Sequence, residues 1–412
     1  MTPEVLVVGD TLEAALTALF AAKVGAAVTL APKPRGLALT PVTFEVARPP
    51  LEAARLGRFN LEEHLKDLPA SHPYRRMLPG DEGDAGALHA AFRLAARDLR
   101  SSLAEEGMPY EGEAYEARIA LTEAGTLVAV GMAPSDLAVF RPGALPAAIE
   151  LVRLPHDASF PAEAIAASLA HSAPGMKVTV RSIDLGGGAP LCSTPMEAAT
   201  RTPWSLVRSE LGSAGCPLLM APRQVKGDPL PPDVYELLPR AVPSSTSVRL
   251  QTALLMALHR AKVRIVDGEP RKLAPTAQGL VLSIETSEGI EELRAPSAVL
   301  ATGKFAHGGI ASRPVLACPL TGAPVFGGAK RETRIDGERH FAKGPLGPHA
   351  AFSLGLKVDA TLRPLGVDGA PLAERLHAVG SVVEGIDVVR EGTGFALLSA
   401  WTVARRFAAP RA

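Results

Sequence analysis

The stretch VLVVGDTLEAALTALFAAKVGAAVTLA (5–31) constrains what this chain can fold into more than any other. A short run of apolar β-formers meets a glycine, an Ala- and Leu-rich segment of helical length follows, and a second apolar run closes the stretch. Short apolar runs without polar alternation fit strands buried on both faces. Residues 4–8 are therefore expected as a strand, 12–24 as a helix and 26–31 as a second, parallel strand. Strand, tight turn, helix and parallel strand in so few residues make a βαβ unit, which is how a dinucleotide-binding α/β domain begins.

The turn itself is unusual. In the fingerprint of such domains the first glycine makes the turn, the second lets backbone approach a pyrophosphate, and the third, which can be alanine, lets helix pack on strand. Gly9 and Ala14 fill the first and third places, but Thr11 stands at the second. Its Cβ narrows the approach, while its hydroxyl and the helix N-terminus still offer donors to an anion. An acidic residue for a ribose hydroxyl is expected where the second strand ends. The chain has Ala31, Pro32 and Lys33 there. The turn is thus a working, a modified or a lost cofactor cradle.

Two later stretches complete the pattern. In SAVLATGKFAHGG (297–309) an apolar strand ends in Ala301, Thr302 and Gly303, and Gly303 would let backbone pass close to a nucleotide. In LHAVGSVVEGIDVVREGTG (376–394) a strand runs into Gly380 and Ser381, and Gly392 and Gly394 open a final helix expected over 394–408. A helix entered this way points its positive end at whatever lies before it. Between these ends the text is less regular. Residues 34–85 are rich in Pro, Gly and charge, an amphipathic helix is expected over 88–107, and 110–240 mixes short strands with one helix. A helix at 247–260, a strand at 263–266 and a hairpin-like stretch then return to the opening pattern. The expected class is α/β, a discontinuous Rossmann-like FAD/NAD(P)-binding domain carrying an inserted α+β substrate or cap region. The parts divide as 1–45, nucleotide-binding; 46–245, inserted; 246–412, nucleotide-binding.

Composition narrows the function. Lys+Arg and Asp+Glu are both 43, so no net field draws nucleic acid, and none is expected as a partner. The three cysteines (Cys192, Cys216 and Cys318) lack CxxC spacing and cannot supply a four-cysteine cluster. No HExxH and no spaced Cys/His set marks a metal site, so none is expected. No apolar run reaches the ~18 residues of a membrane span. A cytoplasmic protein is expected. The polar candidates for chemistry are His72, His307 and Arg390, with Lys304 beside the Ala-Thr-Gly turn. His72 could orient a small-molecule substrate or shuttle a proton, and Arg390 could counter an anion.

Taken in order, HPY (72–74), LTEAGTL (121–127), LLMAP (218–222), VRLQTAL (248–254), VLATGKFAHGG, ATLRPL (360–365) and LHAVGSVVEGIDVVREGTG resemble the B subunits of anaerobic glycerol-3-phosphate dehydrogenase. That resemblance implies a flavin-containing subunit, with FAD or FMN, which pairs with an FAD-containing catalytic subunit. It also implies an iron–sulfur subunit that anchors the assembly at the inner face of the cell membrane and passes electrons to quinone. On this reading Gly9, Thr11, Ala14, Thr302, Gly303, Gly380, Ser381, Gly392 and Gly394 would face the flavin. Family members keep a glycine-rich opening turn, and Thr11 departs from it. Two alternatives stay open: a scaffold subunit that has lost the cofactor, and a stand-alone flavin oxidase or dehydrogenase.

Overall fold

The computed structural model describes residues 4–57, 59–69, 71–77, 85–153, 160–183, 217–220, 234–239, 244–312, 314–328, 330–344 and 349–408. Cys192 and Cys216 lie outside the described residues, as does the end of the 218–222 stretch, whereas Cys318 is a buried free thiol.

The central sheet collects strands from distant parts of the chain. They are β1 (Val5–Val8), β2 (Val28–Ala31), β3 (Arg264–Ile265), β4 (Ser297–Leu300) and β5 (Leu376–Ala378). Their spatial order is β3-β2-β1-β4-β5, and every pairing is parallel. This is the strand order of a doubly wound nucleotide-binding half. Its topological switch lies between β1 and β4, at the carboxyl ends of those strands. All four residues of β1, and all four of β4, are buried, as uninterrupted apolar runs require in a sheet covered on both faces.

Four helices frame the sheet: α1 (Leu12–Lys23), α2 (Ala85–Glu105), α3 (Ser245–Arg260) and α4 (Gly392–Ala404). Leu12 through Ala21 are all buried in α1, and Gly394 through Trp401 are all buried in α4. The two helices pack on each other, and α2 packs on α4. Alanine at positions 14, 15, 18 and 21 of α1 and at 396 and 400 of α4 permits that close approach. Helix α3 starts with a reciprocal cap, in which Ser244 Oγ accepts from Ser247 N–H (3.0 Å) and Ser247 Oγ accepts from Ser244 N–H (2.7 Å).

Between β3 and β4 the expected hairpin is a three-stranded antiparallel meander, Glu269–Thr276, Gly279–Thr286 and Gly289–Ala295. Its first strand, EPRKLAPT, is hidden in the sequence by two prolines and three charges. It is an edge strand with a register shift between Pro270 and Lys272, where missing N–H donors are tolerated. The strand expected over 376–381 stops at Ala378, because Gly380 turns the chain with φ +70°.

The region between β2 and α3 carries its own sheets. Arg118–Leu121, Leu127–Val130 and Val139–Phe140 pair antiparallel, while Ala148–Arg153, Lys177–Ser182, Leu218–Met220 and Val234–Glu236 form a parallel sheet. A separate apolar cluster that includes Ile119, Leu151, Ile165 and Leu219 holds these sheets together. The Arg249 guanidinium of α3 ties this region to the central domain. It meets Asp136 Oδ2 at 2.5 Å and Glu236 Oε2 at 2.9 Å.

Candidate functional site at the carboxyl ends of β1, β4 and β5

The three stretches singled out in the sequence converge where β1, β4 and β5 end. Gly9 has φ +147°, and a Cβ built there would stand 1.9 Å from the Ala301 carbonyl oxygen, so only glycine lets the ends of β1 and β4 close up. Thr11 is the N-cap of α1. Its Oγ1 accepts from Ala14 N–H (3.4 Å) and donates to the Ala301 carbonyl (2.8 Å). The hydroxyl is buried and faces β4, so it is not available to a ligand in front of the helix. Ala14 is fully buried, as the third place of the fingerprint requires.

Glu13, one residue before Ala14, is the feature that sequence reasoning missed. The side chain is 6% exposed and reaches across the start of α1 to the turn after β5. Its Oε1 accepts from Ser381 N–H (3.0 Å) and from Ser381 Oγ (2.6 Å). A Cβ on Gly380 would lie 2.4 Å from Glu13 Cγ. The glycine at that turn is therefore required by the glutamate lying against it. Gly380 N–H in turn donates to Ser399 Oγ (2.9 Å) on α4.

On the β4 side, Gly303 has φ +67°, and the Thr302 hydroxyl is buried without a hydrogen-bond partner among the described residues. Lys304 is buried, and its ammonium donates to the Phe352 and Ile386 carbonyls. Burial pushes its pKa down to about 7, against the pull of Asp387, Glu384, Glu391 and Glu13. His307 lies at the outer end of the same turn, with Nδ1 3.5 Å from Asp10 Oδ1, and that contact raises its pKa. The ring stands against Gly36, where a Cβ would fall 2.9 Å from it.

A second polar group surrounds the start of α4. A Cβ on Gly394 would lie 2.2 Å from the Glu45 carbonyl, so residues 45–46 cross directly over the helix entry. Glu391 is buried at the N-cap position. Its carboxylate lies 3.2 Å from His72 Nε2 and 3.8 Å from His64 Nε2, and it also accepts from Asp387 N–H (3.4 Å). Burial opposes the charge, but these imidazoles and the amide outweigh it and hold the pKa at about 2. The other nitrogen of His72 caps the short helix Pro73–Arg76 by accepting from Tyr74 N–H (3.3 Å). Both ring nitrogens are thus engaged, which ties the 72–74 segment to α4 and leaves no lone pair facing a reactant. Arg390 is exposed, and its carbonyl accepts from Arg48 N–H (2.8 Å).

Of the three residues expected to share the chemistry, His72 and Arg390 both stand at the entry of α4, His72 buried against Glu391 and Arg390 exposed just before it, whereas His307 lies at the mouth of α1. Of the nine residues expected around a nucleotide, Gly9, Thr11, Ala14, Thr302, Gly303, Gly380 and Ser381 lie around the carboxyl ends of β1, β4 and β5, whereas Gly392 and Gly394 lie at the entry of α4. Glu13 is buried at the first of these places, and Glu45 and Glu391 are buried at the second. Glu13 could have been noticed because it stands between the second and third places of the fingerprint. Glu391 could have been noticed as the residue before Gly-Thr-Gly.

A nucleotide phosphate at α1 needs free N–H and O–H donors and room beside the turn glycines. Here both donors of Ser381 serve Glu13, the space over Gly380 holds its side chain, and the Thr11 hydroxyl is turned toward β4. Asp10 and Glu13 also place two acidic side chains at the helix start. The residues present do not fit a flavin phosphate at this position. Among the described residues no group of His, Cys, Asp and Glu could hold a metal, and no helix is long and apolar enough to cross a membrane.

No family model matches the chain. It is 31% identical over 175 residues to the B subunit of the probable anaerobic glycerol-3-phosphate dehydrogenase of Halobacterium salinarum, covering 42% of this chain and 39% of that protein. It is 27% identical over 183 residues to the B subunit of the anaerobic glycerol-3-phosphate dehydrogenase of Yersinia pestis, covering 43% of this chain and 39% of that one. The chain resembles these B subunits. The matched part spans about two fifths of each relative's length. Among solved structures it is similar to a 3-ketosteroid Δ1-dehydrogenase from Sterolibacterium denitrificans, with 12% identity, TM-score 0.44 and 99% of both chains covered. A flavocytochrome c3 fumarate reductase gives 11% identity, TM-score 0.41 and coverage of 98% and 78%.

Proposed function

We propose that this chain is one subunit of a flavin-dependent dehydrogenase assembly that oxidises glycerol 3-phosphate to dihydroxyacetone phosphate and hands the electrons, through a partner, to quinone. The observation that carries the reading is the similarity to B subunits of anaerobic glycerol-3-phosphate dehydrogenase, at 27–31% identity. The parallel sheet supports it, since the Gly9, Gly303 and Gly380 turns meet at its carboxyl edge. In this assembly a partner subunit carries the reacting flavin, and an iron–sulfur subunit relays electrons at the membrane. The present chain supplies a folded platform whose α1 and α4 entries are closed by its own carboxylates. The Glu13–Ser381 contact favours this scaffold role over flavin chemistry within the chain itself.

The test is a comparison of the isolated chain with the chain co-expressed with its partner subunits. Glycerol 3-phosphate oxidation is followed with an artificial electron acceptor. The assembly is expected to turn over and the isolated chain to be inactive. Turnover by the isolated chain would instead establish a stand-alone oxidase or dehydrogenase. An assembly equally active without this chain would remove the subunit role.

A further inference from the structure

We infer that Glu13 is a built-in anion that occupies the phosphate place of the nucleotide cradle, so that the chain excludes phosphate-bearing flavins by its own side chain. A helix that begins just after the first strand presents unpaired N–H groups and a positive dipole end, and a phosphate normally neutralises both. In this chain a carboxylate from the second position of that helix lies beside the same corner, on the Ser381 donors of the turn after β5.

Four observations agree. The Glu13 side chain is buried, although ionisable side chains are seldom buried without partners. Its partners are charge-assisted donors on a different element, the Ser381 N–H at 3.0 Å and the Ser381 hydroxyl at 2.6 Å. Gly380, in the left-handed region at φ +70°, gives up its side-chain volume to the methylenes of Glu13, which would lie 2.4–2.6 Å from a Cβ. Finally, the Thr11 hydroxyl, the other donor an incoming phosphate could use, is committed to the Ala301 carbonyl. The exclusion is therefore localised. Removing the Thr11 side chain alone leaves the carboxylate in place, whereas removing Glu13 frees two donors and the space over Gly380 together.

The inference rests on the oxidoreductase-subunit reading only for the class of group excluded. The two fail in different ways, one by the behaviour of the assembly and the other by flavin binding to the isolated chain. The experiment is a titration of the intact chain with FMN and with FAD, read by flavin fluorescence and by acid release from the purified protein. The unaltered chain and Thr11→Gly are expected to bind neither flavin. Glu13→Ala is expected to bind flavin saturably, with half-saturation at least ~10-fold below the highest concentration at which the unaltered chain shows none, and Thr11→Gly/Glu13→Ala more tightly still. One equivalent of flavin on the unaltered chain would overturn the inference. So would a gain produced by Thr11→Gly alone, or no gain in a folded Glu13→Ala variant. Should Glu13→Ala fail to fold, the unaltered chain and Thr11→Gly decide the matter, because saturable flavin binding by either one contradicts a closed cradle and its absence from both supports it.

Discussion

Lys304 shows how one residue can carry a pH response without taking part in chemistry. Its ammonium is buried against the Phe352 and Ile386 carbonyls, and burial lowers its pKa from 10.5 to about 7. The unfolded chain keeps this proton up to about pH 10.5, whereas the folded chain releases it near 7. Across that window the unfolded state binds more protons, so stability rises with pH, by at most ~1.4 kcal/mol per pH unit. Lys304→Met is expected to flatten the rise, as measured by urea midpoints at several pH values between 7 and 10.5. An unchanged slope in the variant would show that the proton resides elsewhere. Glu391 is the reverse case. Its depressed pKa of about 2 contributes stability that is present above its ordinary 4.5 and is lost as pH falls toward 2. Neither behaviour was legible in the sequence. The sequence offers the lysine after Ala-Thr-Gly as a candidate for chemistry and the glutamate before Gly-Thr-Gly as nothing in particular, and only the fold shows which carbonyls and imidazoles surround them. His72 makes the same point. The sequence marks it as a candidate acid or base, but only the structure shows one ring nitrogen capping Pro73–Arg76 and the other facing Glu391.

At the scale of elements the sequence was far more informative. The strands β1 and β2 and the helices α1 and α3 can be read from apolar runs and helical periodicity, because both faces of the sheet are covered and the pattern is dictated by burial. The first strand of the meander escaped for the opposite reason, since an edge strand can carry prolines and charges at little cost. The helix entries depend on glycines in a way that volume alone explains. Gly394 has the Glu45 carbonyl and the Val46 Cα where its Cβ would be, at 2.2 and 2.6 Å. Backbone cannot step aside as a flexible side chain can. Gly394→Ala is thus expected to destabilise the chain by ~1–3 kcal/mol or more, although alanine favours helix. Chemical denaturation of the intact chain checks this, and a variant as stable as the parent would mean that residues 45–46 do not lie over α4.

For the molecule as a whole, the sheets between β2 and α3 join the rest through apolar packing, with Ala120, Val130, Met132, Leu137 and Leu238 in the main core, and through one buried charge cluster. Arg249 reaches Asp136 and Glu236, and the Glu236 side chain is only 1% exposed. Burial works against the guanidinium charge, and the two carboxylates reverse that effect and raise its pKa. Such a pair adds little net stability compared with apolar packing, but removing one member strands the other charge out of water. Arg249→Ala is expected to cost about 3–5 kcal/mol, and Arg249→Ala/Glu236→Gln less than the sum of its parts. Additive losses in a thermal-unfolding cycle would show that the two groups act separately. This contact could not be read from the sequence, because its partners lie 113 and 13 positions from the arginine, Asp136 in a turn and Glu236 at the end of the strand Val234–Glu236.

The strand order also governs how this molecule is made. β1 is flanked by β2, which follows it in the chain after α1, and by β4, whose pairing partner for Val8 is Leu300. The Thr11 hydroxyl likewise waits for a carbonyl 290 residues away. On a ribosome moving at ~5–20 residues per second, the first strand leaves the tunnel roughly 15–60 s before its second neighbour exists. For that interval an apolar strand edge is open to any passing chain, and the cell must shield it until β4 arrives.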